Sequence, residues 1–236
     1  MARSLPHGRP RQPAALARSV KTDPERFIRE NTGILSPPHV PEVNLFLASE
    51  AHDLWLKTED ELDAIGLPPP FWAIAWAGGQ GLARYVLDRP DLVAGKTVVD
   101  FASGSGLVAI AAMKAGATSV LAMDTDPWTT AAIGLNAQLN DVVVTHKNAD
   151  RIGQPTACDV FLAGDVFYDK AFADRLVPWF EDLVAAGIDV IVGDPGRTYC
   201  PRDRMVALAT YAVPVTRALE DSEVKKTTVW RFLGRS

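Results

Sequence analysis

Five acidic residues in this sequence each follow a short apolar run. Asp100 comes after Val98-Val99, Asp124 after Leu121-Ala122-Met123, Asp165 after Leu162-Ala163-Gly164 and Asp194 after Val192-Gly193, while Asn148 and Asp150 follow Val142–His146. Runs of this kind read as buried parallel strands, and in an open parallel sheet ligands bind beyond the carboxyl ends of the strands. One aspartate at a strand end is often only a turn residue. Several on one rim repel each other unless a cation or an array of donors lies between them. S-adenosylmethionine carries a sulfonium, an α-ammonium, ribose hydroxyls and an adenine amine, so the pattern points to methyl transfer.

The central motif is Asp100-Phe101-Ala102-Ser103-Gly104-Ser105-Gly106-Leu107-Val108-Ala109. Its glycines permit a tight strand-to-helix turn and close approach of backbone to a ligand. Asp124 follows Gly104 by twenty residues, a spacing that suits a carboxylate on ribose hydroxyls. A Gly-x-Gly-x-x-Ala turn with a later acid also fits dinucleotides. Asp100 argues against that reading, because a carboxylate there would repel a pyrophosphate but can hold the methionine ammonium.

The fourth strand ends in Asp165-Val166-Phe167-Tyr168-Asp169, expected beside the transferred methyl group. An amine acceptor must be neutral to attack, and with a lysine pKa of about 10.4, deprotonation at pH 7 costs roughly 4.6 kcal/mol. Asp165 and Tyr168 could orient the nitrogen, with the sulfonium disfavouring its charged form. The bland alternative has Phe167 and Tyr168 simply packing on the sheet. DNA adenine methyltransferases place an Asp/Asn-Pro-Pro-Tyr motif here, and the prolines are missing.

The elements that position these residues are legible from residue 97. Strands are expected at Thr97–Phe101, Ser119–Met123, Val142–His146, Asp159–Ala163 and Ile188–Val192, with helices at 106–115, 127–139, 170–186 and 201–209. Pro178 should kink the third of these helices. Tyr211–Leu219 and Lys226–Phe232 are too close in sequence for a crossover and so form an antiparallel pair. The expectation is a doubly wound, Rossmann-like α/β sheet of seven strands over 97–236, preceded by a small α/β extension over 23–96. In the extension, Asp23-Pro24 opens a helix from Glu25 to Ile34, Val43–Ala48 and Asp53–Lys57 form short strands, and Thr58–Glu61 caps a helix that ends before Pro68. The apolar stripe of Leu82, Tyr85, Val86 and Leu87 marks another helix from Gly78.

Residues 1–22 carry five basic residues and no acid, so removing them from the formal total of −5 leaves −10 for the rest. So acidic a body is a poor binder of nucleic acid. The tail reads as disordered, or as a transit peptide to the mitochondrial matrix. Only Cys158 and Cys200 occur, without metal-ligand spacing, and the four histidines are scattered. A metal is therefore not expected, and a reducing compartment, the cytoplasm, is. No apolar run is long enough to span a membrane, and a monomer is expected.

Four blocks carry a resemblance. Phe71-Trp-Ala-Ile-Ala-Trp76-Ala-Gly-Gly-Gln80, Asp165-Val-Phe-Tyr168, Gly193-Asp-Pro-Gly-Arg197 and Thr227-Thr-Val-Trp230 resemble segments of electron transfer flavoprotein β-subunit lysine methyltransferases, which are class I, seven-β-strand enzymes. The likeness runs from about residue 27 onward, with Ala77 where a proline is common and Ser105 where a cysteine can occur. It implies methylation of lysines on the flavoprotein β-subunit, with S-adenosylmethionine as cofactor. By position, Asp100, Ser103, Gly104 and Gly106 would line the methionine end, Asp124 the ribose and Asn148 or Asp150 the adenine edge. Trp76 would pack on the cofactor, and Asp165 with Tyr168 would face the lysine. A relative acting on a ribosomal protein or a small amine, and a non-catalytic cofactor-binding module, remain as alternatives. The role of Gly193–Arg197 stays open.

Overall fold

A computed structural model of the chain describes residues 23–49, 54, 57, 59–215 and 223–234. In chain order, helix α1 (Pro24–Asn31) leads into β1 (Gly33–Leu35) and β2 (Leu45–Leu47), followed by α2 (Glu59–Ile65) and α3 (Ala77–Asp88). The core continues as β3 (Thr97–Phe101), α4 (Leu107–Lys114), β4 (Ser119–Asp124), α5 (Trp128–Leu139), β5 (Thr145–Asn148), β6 (Val160–Gly164), α6 (Lys170–Ala185), β7 (Asp189–Asp194), β8 (Met205–Pro214) and β9 (Val224–Phe232). Strands β3 to β9 form one sheet of order β5-β4-β3-β6-β7-β9-β8. Its first five strands are parallel, and β9 runs antiparallel to both β7 and β8.

Alternation along the central strands shows why the sheet is covered twice. Val98, Leu162 and Ile191 face a core shared with Leu82 and Val86 of α3 and with α4. Their neighbours Val99, Phe161, Val190 and Val192 face the opposite core, built on Leu176, Trp179, Phe180 and Leu183 of α6. Side chains alternate across a strand, so a run apolar at every position needs helices on both faces. A third cluster joins Phe27 and Ile28 of α1 to Trp72 and to Trp128 of α5, with the two indoles stacked at 6.0 Å. No helix among the described residues is long and apolar enough to cross a membrane.

Several expectations need correction. Helix α1 stops at Asn31, short of Ile34: Thr32 is extended and its hydroxyl donates back to the Ile28 carbonyl at 2.6 Å. Ile34 instead lies in β1, which is the antiparallel partner of β2. The strand expected at Asp53–Lys57 falls largely outside the described residues, as do the basic tail over 1–22 and Thr58. Strand β5 begins three residues later than expected, because Asn148 is the residue that registers against Asp124. The helix expected at 201–209 is absent. A short 3₁₀ turn over Arg202–Arg204 gives way to β8 at Met205. Met-Val-Ala-Leu-Ala has good helix formers, but β9 offers Met205–Pro214 a continuous pairing partner, and tertiary pairing outweighs propensity. Pro178 lies inside helix α6, where the sequence placed it.

Candidate active site

The loop between β3 and α4 is shaped by its carboxylate. Helix α4 has Gly106 as its N-cap, with φ +82° and no side chain to satisfy the first amides. Asp100 supplies what the cap lacks: its Oδ2 accepts the Ala109 amide at 3.0 Å and the Ser103 hydroxyl at 2.5 Å. The side chain thereby ties the strand end to the helix N-terminus. Burial pushes Asp100 up to about 7, against the lowering effect of Ser103 and Ala109 and with a further rise from the charge of Asp124. A nearby cation reverses that penalty. The buried acid at this loop thus fits the α-ammonium of S-adenosylmethionine.

Asp124, at the end of the neighbouring strand, is only partly buried. Its Oδ2 accepts the Gly104 amide at 2.9 Å and its Oδ1 the Asp126 amide at 3.0 Å. Two backbone donors fix the carboxylate, and its remaining lone pairs suit a pair of ribose hydroxyls. Gly104 has φ +52°, and a Cβ there would lie 3.9 Å from the Phe71 carbonyl oxygen. The segment before α3 therefore faces the glycine loop. Trp76 is the N-cap of α3, and its indole N–H donates to that same Phe71 carbonyl at 3.2 Å. Phe71, which the sequence reading gave no role, is 57% exposed with its ring 5.9 Å from that of Trp76. Asn148, the last residue of β5, and Asp150 beyond it are both exposed. The Asn148 amide donates to the Asp124 carbonyl at 3.2 Å, and Asp150 pairs with Arg175 at 2.6 Å.

Asp165 follows β6, beside β3 in the sheet. Its backbone is left-handed, φ +58°, a conformation that costs a non-glycine residue about 1–3 kcal/mol. The side chain is buried and shared by three chain segments. Oδ2 accepts the Gly78 amide of α3, and Oδ1 accepts Nε and Nη2 of Arg197, each at 2.8 Å. Burial raises Asp165 to about 6, moderated by Arg197 and Gly78. Tyr168 is 62% exposed. Desolvation, then the charges of Asp124 and Asp169, lift its hydroxyl above the usual phenol range, so it is a neutral donor at physiological pH.

The sequence reading left Arg197 without a role. Gly-Asp-Pro-Gly-Arg was itself the signal, since Asp194 Oδ1 accepts the amides of Gly196 and Arg197 at 2.7 and 2.9 Å and closes the turn that delivers the guanidinium. Asn136 had no signal at all. Fully buried on α5, it accepts the Phe46 amide of β2 and donates to the Ser105 carbonyl of the glycine loop, each at 2.8 Å.

The chain has counterparts among known proteins. The sequence model described as Ribosomal protein L11 methyltransferase (PrmA) matches residues 84–164. The Electron transfer flavoprotein beta subunit lysine methyltransferase of Rattus norvegicus is 36% identical over 215 residues, covering 87% of this chain and 83% of that protein. The Homo sapiens protein of the same name is 36% identical over 224 residues, covering 89% and 83%. Among solved structures, the magnesium protoporphyrin IX methyltransferase of Synechocystis PCC 6803, with bound S-adenosylmethionine, aligns with a TM-score of 0.54 at 14% identity. That alignment covers 78% of this chain and all of the other, a likeness of fold.

Proposed function

The chain belongs to the electron transfer flavoprotein beta subunit lysine methyltransferase family, and from that premise we propose that its substrate is the β-subunit of electron transfer flavoprotein, methylated on lysine side chains. It is an S-adenosylmethionine-dependent methyltransferase. The observation that carries the substrate reading is the 36% identity to the flavoprotein lysine methyltransferases over most of both chains, and the arrangement of the site agrees with it. The acceptor-side pair Asp165 and Tyr168 follows β6, the immediate neighbour of the strand that feeds the Asp100 and Gly104 loop.

In this reading Asp100, with Ser103, receives the methionine ammonium, Gly104 and Gly106 let backbone approach the ligand, and Asp124 takes the ribose. Asn148 reaches the adenine edge more directly than Asp150, whose carboxylate is already paired with Arg175. Trp76 closes the mouth from the α3 side. The cofactor supplies an electrophilic methyl group on a sulfonium. Asp165 has about four lone-pair positions, of which the Gly78 and Arg197 donors occupy three. The fourth accepts an N–H of the incoming lysine and fixes its direction, while Tyr168 donates from the rim. Holding the amine in line with the methyl group lowers the barrier by fixing orientation before reaction.

The match to the ribosomal protein methyltransferases favours a second protein target only weakly. It is confined to residues 84–164, the cofactor half of the sheet. Both cysteines are free, in keeping with action in the reducing cytoplasm. The deciding experiment incubates the purified protein and labelled methyl donor with recombinant flavoprotein β-subunit, and separately with a cell lysate. We expect label on β-subunit lysines, lost in Asp165→Asn with cofactor affinity retained. Label on a different protein, with none on the β-subunit, overturns the substrate.

A further inference from the structure

We propose that Arg197 is a positioning residue for methyl transfer, delivered by the Asp194 turn to hold the Asp165 carboxylate against the N-terminus of α3. The proposal rests on the reading of Asp165 as the residue that orients the acceptor.

Three observations lead to it. First, Asp165 is a hub. It follows β6, receives the Gly78 amide from α3 and receives two guanidinium nitrogens from the loop after β7. Its own amide donates to the Gly193 carbonyl at 2.9 Å, so the main chain is anchored to the end of β7 and the side chain to the loop that follows it. Second, the loop is built to a single geometry. Asp194 Oδ1 takes the amides of Gly196 and Arg197, Pro195 fixes one backbone angle, and Gly196 sits at φ +95°, which a larger residue would resist. A turn with so many constraints presents Arg197 in one place. Third, the charges require it. Asp165 and Asp194 are both buried acids, and the Arg197 guanidinium on Asp165 Oδ1 is the cation that favours its ionised form. The groups facing Asp165 are therefore the Gly78 amide from α3, Asp194 from β7 and Arg197 from the loop.

Arg197 acts through Asp165 in two ways. Its two nitrogens converge on Oδ1 while the Gly78 amide holds Oδ2, which fixes the carboxylate plane and leaves one Oδ2 position for the acceptor. Its charge keeps that oxygen unprotonated at neutral pH. Lysine in its place would keep the charge and lose the fork.

The test compares full-length Arg197→Gln and Arg197→Lys with wild type. An opposite charge within hydrogen-bond reach is worth about 1–3 pH units to a carboxylate, so the Asp165 midpoint, about 6 in wild type, rises by that amount in Arg197→Gln. Methylation of the β-subunit relative to wild type then falls about 2- to 100-fold at pH 7 and recovers toward pH 9. Cofactor affinity stays within about 3-fold, and Arg197→Lys keeps the wild-type midpoint with reduced kcat. A loss equal at every pH, or an unaltered profile, overturns the proposal. Carbon-13 NMR of the aspartate carboxyls, with Asp165→Asn to assign the signal, follows the same midpoint without any substrate. If wild type leaves the β-subunit unmethylated, the substrate reading fails, and the carboxyl titration still decides the role of Arg197. Should Arg197→Gln not fold, the lysine variant carries both measurements.

Discussion

Gly78 and Gly79 are neighbours in the first turn of α3, yet alanine should act on them with opposite sign. A Cβ on Gly78 would lie 2.4 Å from the Gly193 carbonyl oxygen, 2.6 Å from Asp165 Oδ2 and 2.8 Å from the Asp165 amide nitrogen. Two of the three are main-chain atoms of other strand ends, and the third is the buried carboxylate clamped by Arg197. Nothing there can swing aside, so the helix must move. Overpacking of this sort costs about 1–3 kcal/mol, which for a chain of this size lowers Tm by about 2–12 °C. A Cβ on Gly79 meets nothing within 4 Å. Alanine there restricts the unfolded chain and stabilises by about 0.4–1 kcal/mol, raising Tm by about 1–4 °C. Thermal scans and urea midpoints of the two variants, run without ligand, measure both. Cofactor titration should show weaker binding for Gly78→Ala, whose displaced helix carries Trp76. Equal stability of the two variants, or a more stable Gly78→Ala, would show that α3 is not seated by backbone contact.

The remaining expectations concern the cofactor loop and its supports. Asp124→Ala should weaken S-adenosylhomocysteine binding about 10- to 150-fold, since a charged acceptor on buried hydroxyls is worth about 1.5–3 kcal/mol, and calorimetry showing undiminished affinity removes the ribose assignment. Asp100 sits at about 7 in the fold against 3.8 free. Being raised, its contribution is fully present below about pH 4 and is lost as pH climbs through about 7, on the order of 4 kcal/mol in all. Urea midpoints of the ligand-free protein should fall across that window and fall less in Asp100→Asn, whereas identical slopes would refute the assignment. Asn136→Ala strands the Phe46 amide and the Ser105 carbonyl, each group costing about 1–3 kcal/mol when left unpaired. A chemical denaturation curve coincident with wild type would count against that bridge.

How much of this could be read beforehand differs by element. Strand β3 was read to the residue and β4, β6 and β7 to within two, because runs such as Val98-Val99 and Phe161-Leu162-Ala163 are apolar on both faces. That pattern is written in the residues themselves. Four rim acids were legible for the same reason, since Asp100, Asp124, Asp165 and Asp194 lie within one residue of the ends of β3, β4, β6 and β7, whereas Asp150 follows β5, whose start was misplaced. Strand β8 was misread because Met205–Ala209 owes its strand to β9, about twenty residues further along, and no local pattern records a distant partner. Asn136 escaped notice similarly, since its value comes from Phe46 and Ser105, which lie 90 and 31 residues away. The Gly193–Arg197 block could be seen as a motif, yet its purpose required knowing that its guanidinium returns to Asp165.

The sheet order carries a consequence for biosynthesis. Strand β9 is made after both of its neighbours, β7 and β8, yet it lies between them. A nascent chain therefore presents two unsatisfied strand edges until β9 emerges to bridge them, and cannot close its sheet piecemeal in order of translation. Until then the Gly193 carbonyl and the loop bearing Arg197 hang from a strand bonded on one side only, so competence for catalysis arrives last, with the final strand.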